Sequence, residues 1–114
     1  MLVMKFFKIL SIEFSDLEES IDALIATLNE RYQKSEITEH VLKENRALFK
    51  RELTDILIIH KQLMNLSSGD FSSVEEAKNA VLELIYSNKD IPGAVHTYLE
   101  RRVRKVLRYL DEIC

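Results

Sequence analysis

The sequence predicts an all-α fold. Two long N-terminal helices form an antiparallel hairpin, and two shorter C-terminal helices complete a four-helix bundle-like arrangement. Three observations predict it. Val3, Phe7, Leu10, Phe14, Leu17, Ile21, Leu24 and Leu28 recur in steps of four and three, which sets them on one stripe of a helix. Leu42, Asn45, Phe49, Glu52, Ile56, Ile59 and Leu63 repeat the pattern with two polar rungs. The 114 residues include only two glycines and one proline, so little interrupts either ladder.

The first helix is expected from about Val3 to Lys34. A competing start at Ser15, which has capping-box spacing to Glu18, would leave Phe6, Phe7 and Ile9 in a strand or extended arm. The ladder runs unbroken through Phe14 and favours the long helix. Gln33 to Glu36 is a polar connector. Thr38 caps the second helix, which reaches about Leu66 with Val41, Leu42, Leu48, Phe49, Leu53, Ile56, Leu57, Ile59 and Leu63 inward. Ser67 to Asp70 breaks it. Ser72 or Ser73 caps a third helix whose first-turn acids, Glu75 and Glu76, suit its dipole. Its inward face is Val74, Ala77, Val81, Leu84 and Ile85. Pro92 suits the start of a fourth helix, with Val95, Leu99, Val103, Val106, Leu110 and Ile113 inward. Residues 1–114 form a single helical domain.

A net charge of −3 argues for neither nucleic acid nor membrane, but its distribution is uneven. Residues 11–30 hold Glu13, Asp16, Glu18, Glu19, Asp22 and Glu30 without a base. Residues 101–108 hold Arg101, Arg102, Arg104, Lys105 and Arg108 without an acid. These two helices would attract each other within a bundle or between subunits. The single cysteine, Cys114, has no internal partner, which fits a reducing cytoplasm. Lys5 and Lys8 interrupt the apolar start, so it does not read as a signal peptide. No run approaches a membrane span.

Each long helix would extend about 45 Å at ~1.5 Å per residue. The later helices are too short to cover both. The uncovered stripe is expected at Val3, Phe6, Phe7, Leu10 and Phe14, which implies a homodimer or a helical protein partner.

Most catalytic signatures are absent: no phosphate loop, no cysteine pair, and three histidines, His40, His60 and His96, without metal-ligand spacing. His60, at the edge of the second apolar face, reads as a satisfied core histidine. Two acid pairs remain. Glu19 and Asp22 are three apart, as are Glu52 and Asp55, so each pair shares a helix face. Packed together, the four would offer the hard oxygen set that Mg²⁺ or Mn²⁺ prefers. Glu52 lies on the interior ladder and therefore calls for a partner, either an arginine of the last helix or a metal.

Glu-Glu-x-x-Asp at 18–22 and Glu-Leu-x-Asp-Ile-Leu at 52–57 resemble the paired acidic motifs of the all-α MazG-like nucleotide pyrophosphohydrolases. The stretch Ser-Gly-Asp-Phe-Ser-Ser-Val-Glu-Glu-Ala is similar to the loop and helix start that follow in that family, and Ser-Asn-Lys at 87–89 extends the resemblance. It covers about residues 14–89. It implies a Mg²⁺-dependent nucleoside-triphosphate pyrophosphohydrolase with Glu19, Asp22, Glu52 and Asp55 as metal ligands and Lys89 as a phosphate contact. The chain departs from the family in having Asp22 for Glu and a longer interval between the acid pairs.

Arg101, Arg104, Lys105 and Arg108 lie opposite Val103, Val106 and Leu110 and form a basic face. Such a face contacts phosphates without reading sequence, but no recognition motif or stacking platform accompanies it. The primary expectation is therefore an oligomerisation or protein-interaction module without catalysis or cofactor. The pyrophosphohydrolase stands second, and a nucleic-acid accessory protein third.

Overall fold

The computed structural model describes residues 2–113; Cys114, read above as the chain's one thiol, lies outside them. The fold is an all-α bundle of four helices: α1 (Leu2–Gln33), α2 (Glu39–Met64), α3 (Val74–Ser87) and α4 (Gly93–Ile113), with a short 3-10 turn at Ser68–Asp70. No strand occurs among the described residues.

α1 is one continuous helix that passes through Ser15 without a break. It ends in a Schellman motif, with Glu36 N–H donating to Arg31 O at 2.9 Å and Ser35 N–H to Tyr32 O at 3.0 Å. The motif needs a left-handed residue, and Ser35 takes that role with φ 60°. Thr38 caps α2 as expected, its Oγ1 accepting from Val41 N–H at 3.2 Å. Ser73 caps α3 by accepting from Glu76 N–H at 3.1 Å. Glu76 reaches back to Ser72, whose hydroxyl donates to it at 2.6 Å. That bond holds the Glu76 carboxyl below its usual pKa.

Polar cross-links fix the topology. Ser11 meets Met64 while Glu18 meets His60, so α1 and α2 run antiparallel. Glu13 meets Lys105 while Asp16 meets Arg102, so α4 also runs antiparallel to α1. Asn88 ends α3 and donates to Gln62 Oε1 at 2.9 Å, and His96 of α4 donates to Asn88 O at 2.9 Å. The core joins all four helices. Phe6, Leu10 and Phe14 of α1 meet Ile56 and Ile59 of α2, Val81 and Ile85 of α3, and Val95, Leu99, Val103 and Val106 of α4. Each such side chain contributes about 1.5–3 kcal/mol on burial.

This core corrects the expected interface. Phe6, Leu10 and Phe14 are fully buried and Val3 is nearly so, all within the chain. Phe7 is half-buried against Phe71, with ring centroids 5.7 Å apart. The reason is placement: α3 and α4 pack on the N-terminal half of α1, not its C-terminal half. Beyond Ile21 and Ile56 the hairpin continues as two helices alone, and the molecule measures 54 × 30 × 18 Å. Leu28 and Leu42 are buried there, outside the main core. Leu24, Val41, Leu48 and Leu57, expected inward, are exposed, as is Ile113 at the end of α4.

Candidate functional site

The basic α4 meets the acidic α1 within the chain. Arg102 Nη1 donates to Glu13 Oε1 at 2.9 Å and to Asp16 Oδ2 at 2.6 Å, and Lys105 Nζ lies 3.1 Å from the same Glu13 oxygen. The Arg102 hydrogen bond, then its charge, holds the Asp16 carboxyl below the usual range. Of the expected basic face, Lys105 is thus engaged and Arg104 bonds Glu100 at 3.1 Å. Arg101 and Arg108 are exposed and make no ion pair among the described residues. Glu100 also accepts from Tyr86 Oη at 2.6 Å, which lowers the carboxyl pKa and raises the phenol's.

The four acids of the expected metal site are not gathered. Glu19 and Asp22 are exposed on α1, whereas Glu52 and Asp55 are half-buried on α2. No group of three or more metal-ligating side chains occurs among the described residues, so the donors do not fit a metal centre within one chain. Lys89 stands exposed in the α3–α4 turn. Glu52 has no arginine partner among the described residues; the α4 arginine Arg102 pairs with Glu13 and Asp16 of α1 instead. Burial, then the neighbouring Asp55 charge, pushes the Glu52 carboxyl pKa up. Asp55 Oδ2 is buried without a hydrogen bond. This turn of α2 therefore holds two half-buried carboxylates with no compensating partner among the described residues.

Sequence reasoning did not single out a second polar cluster. Ser11 Oγ lies 2.9 Å from His60 Nε2, and His60 Nδ1 lies 2.6 Å from Glu18 Oε2. The Glu18 and His60 side chains are 16% and 14% exposed, so both are sheltered yet reachable. The expectation that His60 is a satisfied histidine holds geometrically. Ser11, Ser15 and Glu18 do recur in steps of four and three, but the pairing with His60 depends on the hairpin register, which the sequence leaves open.

No described helix is long and apolar enough to cross a membrane. Compared with protein-family models, with curated proteins and with solved structures, the chain matches none of them.

Proposed function

We propose that the chain is an assembly module that dimerises through the distal half of its α1–α2 hairpin. One observation carries this reading: Leu28 and Leu42 are buried in a two-helix layer flanked by exposed Leu24, Val41 and Leu48, at 48%, 37% and 51%. A second hairpin laid across that layer would complete a four-helix cross-section and cover the apolar flank. Charge favours a second copy as the occupant. Along this half α1 offers Asp22 and Glu30, and α2 offers Arg46, Lys50 and Arg51; Lys43 is already paired with Glu39 at 3.0 Å. A two-fold arrangement sets α1 of one copy on α2 of the other, acid against base. The one cysteine in 114 residues supports a reducing compartment such as the cytoplasm.

Light scattering after size exclusion tests the proposal. The wild-type chain should elute at twice its own mass, and Leu24→Glu with Leu48→Glu should elute as a folded monomer. A wild-type monomer, or a double variant that remains dimeric, refutes it.

The magnesium-dependent pyrophosphohydrolase keeps one supporting observation, the bond-less Asp55 oxygen beside the raised Glu52 carboxyl. A second copy would have to supply further ligands. Millimolar Mn²⁺ would then raise the melting temperature of the dimer and of no monomeric variant. Absence of that shift, with no pyrophosphate released from a nucleotide panel, removes the reading.

A further inference from the structure

We propose that Ser11, His60 and Glu18 form a nucleophilic acyl-transfer site for esters with an apolar acyl chain. The site lies at the four-helix end of the hairpin and does not depend on the dimer. An ionised carboxylate only accepts hydrogen bonds, so the 2.6 Å contact with Glu18 puts the imidazole proton on Nδ1. In the neutral ring Nε2 is then the acceptor for the hydroxyl of Ser11, whose Oγ lies 2.9 Å away. This is the order a base-activated serine requires: nucleophile, base, and an acid that fixes the tautomer. Met64 Sδ, 3.5 Å from Ser11 Oγ, competes for the same single O–H, but thioether sulfur is a weak acceptor beside an imidazole nitrogen.

The serine opens onto apolar space. A groove of about 510 Å³ runs beside it between Phe7, Ile12, Leu63, Met64 and Leu66. A second, of about 380 Å³, continues past His60 to Leu57 and Lys61. Exposed Ile12, Leu57 and Met64 make a collar that suits an apolar acyl chain. Lys8 and Lys61 line the two grooves, and neither has an ion-pair partner among the described residues. A developing oxyanion would have to draw on these flexible cations, because the α1 backbone N–H groups at Ser11 are committed to the helix.

Ser11 Oγ attacks the ester carbonyl carbon, forming the O–C bond as its proton passes to His60 Nε2. The tetrahedral intermediate breaks its bond to the leaving alkoxide, which takes that proton and departs as the alcohol. Water, deprotonated by His60, then attacks the acyl-serine; the carboxylic acid leaves and the proton returns to Ser11.

An alkyl fluorophosphonate tests this directly, since Oγ attack on phosphorus expels fluoride and leaves a stable adduct. The expected result is one adduct per chain, mapped to Ser11 by peptide mass and absent from Ser11→Ala. His60→Gln should slow labelling about 100-fold, the loss of a general base, and Glu18→Gln should slow it less. Ser20→Ala should change nothing. A folded wild-type chain that takes no label, takes it elsewhere, or labels at an unchanged rate in Glu18→Gln and His60→Gln overturns the proposal. Should His60→Gln not fold by circular dichroism, Glu18→Gln alone decides it.

Discussion

Phe14→Ala probes whether the N-terminal apolar residues belong to this chain's own core or to a partner. Phe14 is fully buried and packs edge-on to His60, with ring centroids 5.6 Å apart at 77°. Its loss removes the burial term and leaves a cavity in the shared core, together about 3–5 kcal/mol. A chain of 114 residues has an unfolding entropy of about 0.24 kcal/mol/K, so the melting midpoint should fall by about 12–20 °C. Thermal and urea melts followed by circular dichroism read the change. Two features must appear together. The loss must be large, and its size must not depend on protein concentration, because the contacts broken are internal. A fall of only a degree or two, or one that grows on dilution, refutes the core assignment and returns Phe14 to an interface.

Three further outcomes follow from particular side chains. Ser35→Gly should raise stability by about 0.5–1 kcal/mol, since Ser35 holds φ 60° and glycine takes that conformation without a Cβ penalty; an unchanged or lower urea midpoint contradicts this. Glu52→Gln should raise the melting temperature of the chain held monomeric by Leu24→Glu and Leu48→Glu. The folded state raises the Glu52 pKa, so its penalty stands above that raised value and fades as pH falls through it to the unfolded value. A lower melting temperature at pH 7 would mean that Glu52 has a favourable partner. Asp16 works the other way: its depressed pKa contributes stability above the unfolded value of about 4, lost as pH falls through the lower folded value. Arg102→Gln should therefore flatten the acid limb of stability against pH, and an unaltered limb argues against the pair.

The helices and their caps were legible because they depend on local chemistry: the ladders, Thr38 and Ser73 required nothing distant. The attraction between the early acids and the late bases was legible too, and it materialises at Glu13, Asp16 and Arg102. What the ladders hid was which end of the hairpin is covered. That depends on where the Ser68–Asp70 turn delivers α3, a tertiary matter, and it moved the exposed apolar surface from Phe6 and Leu10 to Leu24 and Leu48. It also left Asn45, Phe49 and Glu52, mid-ladder rungs, only half-buried. Asn45 spends its amide on its own helix, donating to Val41 O at 2.8 Å, so no cross-chain role for it was readable. The Ser11–His60–Glu18 alignment rests on hairpin register, which period alone does not specify.

Amide hydrogen exchange at two protein concentrations distinguishes a dimer through the distal hairpin from every other arrangement, because it reports where association occurs as well as whether it does. Residues 21–50 should exchange more slowly as concentration rises, while amides around Val81, Val95 and Leu99 are unaffected. Exchange in residues 21–50 that is identical at micromolar and millimolar chain, or protection that appears on α3 and α4 instead, would contradict the distal-hairpin dimer.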